Sequence, residues 1–143
     1  MRELENWPTL HPVAAEQEFM PGFRAHAAPG HTPGHLVFVL EGKDSDAVFT
    51  GDAAKNRAEL LSRKADATYD AAVSSKTIEK IWQLWQKRPG SVLVPGHDLP
   101  MTQKDGKISY IGKRRAALKM WFGENLEMTT LIELGPAPKN REP

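Results

Sequence analysis

Four short apolar runs in this 143-residue chain stop at glycine or proline-glycine turns, and this punctuation constrains the fold most. Leu36-Val37-Phe38-Val39-Leu40 is apolar throughout and rich in β-branched and aromatic residues. A run of that kind predicts a strand buried on both faces. Phe23-Arg24-Ala25-His26-Ala27 predicts a short strand leading into the Pro29-Gly30 turn. Ala47-Val48-Phe49-Thr50 predicts another, ending at Gly51-Asp52. The polar turn from Gly42 to Asp46 joins two of these runs as an antiparallel hairpin. Ser91-Val92-Leu93-Val94 predicts a further strand, stopped by Pro95-Gly96.

Helices fill the space between. Leu60 and Leu61 among charged residues predict a short helix over 54–65. Ile78, Ile81, Trp82 and Trp85 fall at i, i+3, i+4 and i+7, which makes one apolar helix face. Ser74 or Ser75 is the expected N-cap, because a hydroxyl there accepts from free backbone N–H groups, and Pro89-Gly90 the expected stop. Ile111, Ala117, Leu118, Trp121 and Phe122 predict a last helix over about 110–122. Residues 1–22 lack periodicity and read as an irregular lead-in, and 136–143 as a flexible tail. The length suits one domain over 1–143.

Charge excludes some partners. With 19 basic and 18 acidic residues the net charge is +1, so neither nucleic acid nor an anionic membrane is an expected partner. The basic run Lys113-Arg114-Arg115 reads as a solvated helix face. The chain has no cysteine, so it forms no disulfide or thiolate zinc site of its own. Met1 to Pro8 contains no apolar signal-peptide core, and the run Leu36 to Leu40 is far too short to span a bilayer. A soluble, cytoplasmic protein is expected.

The chemistry gathers at the turns. His31 lies just before a predicted strand, and Asp52 and His97 lie just after two others. Gly30, Gly51 and Gly96 directly precede them. Glycine allows the sharp turns and close backbone approach that a ligand site needs. Two imidazoles and a carboxylate suit zinc or a similar metal. Asp52 has two oxygens and so can bridge two cations. His31 and His35 are four apart, but Pro33-Gly34 between them forbids a helical zinc pair. Asp98, after His97, reads as a turn residue. His11 and His26 carry no spacing that marks them as ligands.

The ordered set Pro29-Gly30-His31-Thr32-Pro33-Gly34-His35, Thr50-Gly51-Asp52-Ala53 and Val94-Pro95-Gly96-His97-Asp98 resembles the metallo-β-lactamase-fold hydrolases. The likeness is greatest to the acyl-homoserine lactonases and the hydroxyacylglutathione hydrolases, and it runs over about 23–100. It implies an α/β (α+β) fold, the C-terminal half of an αββα sandwich, with a mostly antiparallel sheet and flanking helices. It implies up to two zinc ions: His31 on one, His97 on the other, and Asp52 bridging them as the catalytic carboxylate. His35 would hold the His31 turn. The implied reaction is hydrolysis of a small lactone, thioester or related ester by metal-activated hydroxide. Tyr69, Trp7 and the 99–107 loop would line the pocket, with Tyr69 able to donate to a developing oxyanion.

One departure limits these expectations. The family carries an upstream His-x-His-x-Asp-His motif with four more ligands. None of the five histidines here are two apart, and no Asp-His dipeptide occurs. The expected partner is therefore a second copy of the chain or a complementing N-terminal half, which would also cover the sheet face left open. Alone, the chain is expected to have little or no hydrolase activity. The alternative is a non-catalytic binding or oligomerisation module that keeps a remnant of the fold.

Overall fold

The computed structural model describes residues 7–112, 117–121 and 129–133. The chain divides into two compact units at the Ile111–Gly112 junction.

The first unit is built on a mixed seven-stranded sheet with two helices. Its strands are β1 (Glu18–Met20), β2 (Phe23–Ala27), β3 (Leu36–Glu41), β4 (Asp46–Gly51), β5 (Val92–Pro95), β6 (Met101–Lys104) and β7 (Lys107–Tyr110). They lie side by side in sequence order. Every pairing is antiparallel except β4 with β5, which is parallel. A parallel pair needs a crossover connection. Here it carries helices α1 (Arg57–Ser62) and α2 (Ala71–Gln86). The expected strand over 23–27 and the expected hairpin are both present.

Register sorts the sheet residues onto two faces. Val37, Val39, Val48 and Leu93 share one face, and α2 packs on it through Ile78, Ile81, Trp82 and Trp85. The indole of Trp85 donates to Ser91 O at 2.8 Å, and that of Trp82 to Leu60 O at 2.9 Å. Each large ring is thus buried with its one polar atom satisfied. The other face carries Phe23, Phe38, Phe49 and Val94, all half-buried. Phe23 and Phe38 stack at 6.1 Å between centroids, and Phe19 meets both edge-on. No described helix lies on this aromatic face.

Several expectations need correction. The cap of α2 is Asp70, not Ser74 or Ser75: its carboxylate accepts from Val73 N at 2.9 Å. Ser74 is instead buried inside the helix, against Gly30. The irregular lead-in contains β1, which pairs with β2 through a bulge. The expected pocket loop 99–107 is β6, a turn, and the start of β7. Asp105 and Gly106 hold φ of 50° and 72°, the left-handed pair that closes a two-residue hairpin. The helix expected over about 110–122 is absent from the described residues there. Tyr110 ends β7, and Ala117–Trp121 forms strand β8, paired antiparallel with β9 (Thr129–Glu133) in the second unit. Leu118 and Met120 alternate with Lys119 along β8, so a period of two also fits the segment. Phe122, Lys113-Arg114-Arg115 and the tail over 136–143 lie outside the described residues.

Glu16 ties the start of this unit to α2. Its carboxylate accepts from His26 Nδ1 at 2.7 Å and from Lys80 Nζ at 3.1 Å. The Lys80 hydrogen bond, then that of His26, lowers its pKa from 4.5 to about 2. A depressed carboxylate pKa stabilises the fold above the unfolded value, and this is lost as pH falls through the folded one. Wild-type stability should therefore fall between about pH 4.5 and 2, and Glu16→Gln should flatten that stretch of a urea-denaturation series. Glu16 is exposed, so the effect is small. Trp85→Ala, by contrast, should cost about 3–5 kcal/mol in the same assay.

Candidate metal centre

The parallel β4–β5 pair builds the site. Parallel neighbours end on the same sheet edge, so the turns after β4 and β5 emerge together. Asp52 follows β4 and His97 follows β5. β3 runs antiparallel to β4, so the turn before β3, with His31, reaches the same edge. Three turns far apart in sequence thus converge through topology.

Local hydrogen bonds shape each turn. Thr50, fully buried, donates its hydroxyl to Ala54 O at 2.7 Å and closes the loop around Gly51-Asp52. Gly51 takes φ +48°, in the left-handed region. A Cβ on Gly96 would sit 2.6 Å from Gly51 O, so only glycine lets the two turns touch. His97 N donates to Lys55 O at 2.8 Å. On the other side, Asp70 N donates to Gly30 O at 3.0 Å, and Thr77 Oγ1 to Pro29 O at 2.6 Å. The His31 turn is therefore fastened to α2.

At the centre one carboxylate stands between two imidazoles. Asp52 Oδ1 lies 2.7 Å from His97 Nε2, and Oδ2 lies 3.4 Å from His31 Nε2. Exposure is uneven: 64% for the His97 side chain, 40% for Asp52 and 27% for His31. The hydrogen bond from His97 is the largest influence holding Asp52 below its ordinary pKa, and the nearby His31, His97 and Lys55 charges add to it. His35 sits 6.0 Å from His31, ring edge to face, and its imidazole packs against Gly51. Burial, then the field of His31, lowers the His35 pKa, so this ring is neutral at pH 7. Ala28 N donates to His35 O at 2.8 Å, and His35 N to Thr32 O at 3.3 Å, so this residue helps close the His31 turn.

The donors suit a metal in kind but not in number. An oxygen of Asp52 faces each imidazole, as a bridging carboxylate requires. The Nδ1 atoms of His31 and His35 are buried with no hydrogen-bond partner among the described residues. Yet no group of three or more His, Cys, Asp or Glu among the described residues is arranged to hold a metal ion. A catalytic zinc ordinarily has about three protein ligands.

Other expected residues are elsewhere. Tyr69 donates its N–H to His31 O, but the residue is 81% exposed. Trp7 is 59% exposed. His26 bonds to Glu16, and His11 is exposed. Asp98 does more than make a turn: its carboxylate accepts from Arg57 N, Leu99 N and Tyr110 Oη. Sequence reasoning does not find Thr50 and Tyr110 as site-building residues. The threonine before Gly51-Asp52 is a usable signal, since a buried hydroxyl at a strand end seeks a turn carbonyl.

The sequence profile described as the metallo-beta-lactamase superfamily matches residues 4–97. The chain belongs to that superfamily. Solved structures agree on the fold. A mutant of AiiA from B. thuringiensis, with N-decanoyl-L-homoserine bound at its active site, is 24% identical. It aligns over 60% of this chain and 34% of its own, with a TM-score of 0.54. A probable metal-dependent hydrolase from Staphylococcus aureus is 23% identical, over 71% of this chain and 39% of its own, with a TM-score of 0.61. AidC, a dizinc quorum-quenching lactonase, is 16% identical, over 75% of this chain and 39% of its own, with a TM-score of 0.55. No curated protein sequence matches. This member of the superfamily therefore spans between a third and two fifths of these solved chains. No described helix is long and apolar enough to cross a membrane.

The Gly96–Gly51 contact gives a direct test. Gly96→Ala should cost about 2 kcal/mol or more, because backbone must move to admit the methyl. Gly34→Ala, where a Cβ meets nothing within 4 Å, should change stability by less than about 0.5 kcal/mol. Chemical denaturation of both variants reads the difference.

Proposed function

We propose that this chain carries part of a metal-dependent hydrolase site for a small lactone, thioester or related ester. The single observation behind this reading is Asp52, with one oxygen toward His97 and the other toward His31. His31, Asp52 and His97 would hold zinc, up to two ions, and Asp52 would bridge them. Bound there, the metal would polarise the ester carbonyl and lower the pKa of water. The chain's own part is positional. His35 and α2 hold the His31 turn, and Gly51 and Gly96 let the Asp52 and His97 turns meet. The dizinc lactonase among the solved relatives supports metal dependence in this superfamily.

The remaining donors would come from a partner: a second copy of this chain, or a complementing N-terminal half. The aromatic face of Phe19, Phe23, Phe38 and Phe49 supports a partner, since a sheet buries both faces in a layered fold. Alone, the chain would turn over little or no substrate. A cytoplasmic location belongs to the same proposal. The second reading is a non-catalytic binding or oligomerisation module, favoured by the short donor set among the described residues.

Native mass spectrometry of the purified chain after zinc exposure reads assembly and metal together. The expected result is zinc retained only in species heavier than one chain, and lost in Asp52→Ala. Lactone hydrolysis should follow the metal-bearing species. A metal-free chain at every assembly mass would overturn the hydrolase reading in favour of the module.

A further inference from the structure

We propose that Asp98 and Tyr110 form a brace that positions His97 against Asp52. The proposal deepens the site reading above and concerns a positioning pair, since neither residue bonds to Asp52 or His97 side chains. The His97 ring is largely exposed, and its one side-chain bond among the described residues is to Asp52. Its aim therefore depends on how its backbone is held.

The backbone is held on two sides. Toward the Asp52 loop, Gly96 N donates to Ala54 O at 3.4 Å and His97 N to Lys55 O at 2.8 Å. The next step of this ladder comes from a side chain: Arg57 N donates to Asp98 Oδ2 at 3.2 Å. Asp98 thus extends the line of bonds that joins the two turns. Toward the far sheet edge, Tyr110 Oη donates to the same Oδ2 at 3.0 Å, and Ile111 N to Pro100 O at 2.7 Å. Leu99 N donates to Oδ1 at 2.9 Å, which fixes the carboxylate's rotation. The Arg57 guanidinium lies 5.2 Å from the centroid of the Tyr110 ring and holds that ring in turn.

The chemistry of the pair suits a fixed brace. Burial, then the hydrogen bond to Asp98, raises the Tyr110 pKa above its ordinary value, so the phenol keeps its proton. Asp98, as a carboxylate, offers acceptors only, which matches the donors around it. Asparagine at 98 would turn an NH2 group toward donors. Phenylalanine at 110 would remove one hydrogen bond and little volume.

Long-range 1H–15N NMR of the histidine rings tests the brace on the full chain at pH 8, where free imidazole is neutral. In wild type the His97 ring should sit in one tautomer, with its proton on Nε2 toward Asp52. Tyr110→Phe and Asp98→Asn should both move His97 toward the mixed tautomers of free imidazole. His26, whose ring is held by Glu16 and not by Asp98 or Tyr110, should keep its wild-type signals. A merely structural role would lower the melting temperature without this selective change. In the zinc-bearing assembly, Asp98→Asn should weaken zinc retention about tenfold or more, the usual scale for a lost supporting contact.

Unchanged His97 signals in folded Tyr110→Phe would overturn the brace, whether or not zinc binds. If wild type holds no zinc at all, the hydrolase reading fails and the ring signals still decide the brace. If Asp98→Asn does not fold, Tyr110→Phe carries the test, since it keeps the carboxylate and both of its backbone donors.

Discussion

The site depends on one parallel strand pair in an otherwise antiparallel sheet. Because β4 and β5 run the same way, their C-terminal ends share an edge. The link between them must cross over the sheet, and it does so with α1 and α2. That crossover places α2 on the Val37, Val39, Val48 and Leu93 face and supplies half of the buried apolar core. The same helix then fastens the His31 turn through Asp70 N and Thr77. Core and site thus share one structural cause. Reversing β5 would send His97 to the opposite edge and remove α2's reason to pack where it does.

Much of this was legible in the residues, for specific physical reasons. The continuous apolar run at Leu36 predicted a buried strand because only a strand central in a sheet needs apolar residues on both faces. The i, i+3, i+4, i+7 spacing at Ile78 to Trp85 predicted a helix because no strand period accommodates it. The glycines before His31, Asp52 and His97 marked the turns, and Gly96 shows why: its hydrogen faces Gly51 O. The failures are as instructive. Ser74 looked like a cap because hydroxyls cap helices, but Asp70 sits one turn earlier and its carboxylate is the competing acceptor. Asp105-Gly106 is a two-residue hairpin signal, and it makes the expected pocket loop the β6–β7 turn instead. The segment over Ala117–Trp121 fits two periods at once, and pairing with Thr129–Glu133 decides between them. The role of Asp98 depends on Tyr110, which lies twelve residues on in another strand. No local pattern reports such a contact.

The electrostatics of the centre are those of a carboxylate shared by two bases. His97 Nε2 lies at hydrogen-bond distance from Asp52, and a carboxylate can only accept. The nitrogen that would bind a metal therefore carries a proton in this arrangement. Metal binding there would replace this hydrogen bond and leave the ring's proton on Nδ1. His31 differs, since its Nε2 is 3.4 Å from Oδ2 and its Nδ1 is buried without a described partner. A ligating imidazole ordinarily donates its other nitrogen to an oriented acceptor. The two histidines are thus unequally prepared: His97 has a braced backbone and an exposed ring, His31 a half-buried ring with one buried, unmet nitrogen.

The two unmet demands of this chain lie on the same sheet. On β3 and β4 the aromatic face is half-buried at Phe38 and Phe49, where Val37, Val39 and Val48 on the opposite face are buried. The described donors at the edge of those strands are too few for a metal. A covering layer could satisfy both only if it reached past the phenylalanines to the edge bearing His31, Asp52 and His97. An apolar helix laid across Phe23, Phe38 and Phe49 would bury the face and leave the donors short. Only a layer that ends in polar, ligand-bearing turns at that edge meets both demands. Among the described residues, the half-buried aromatic face therefore restricts what kind of layer could complete the proposed site, before any question of substrate arises.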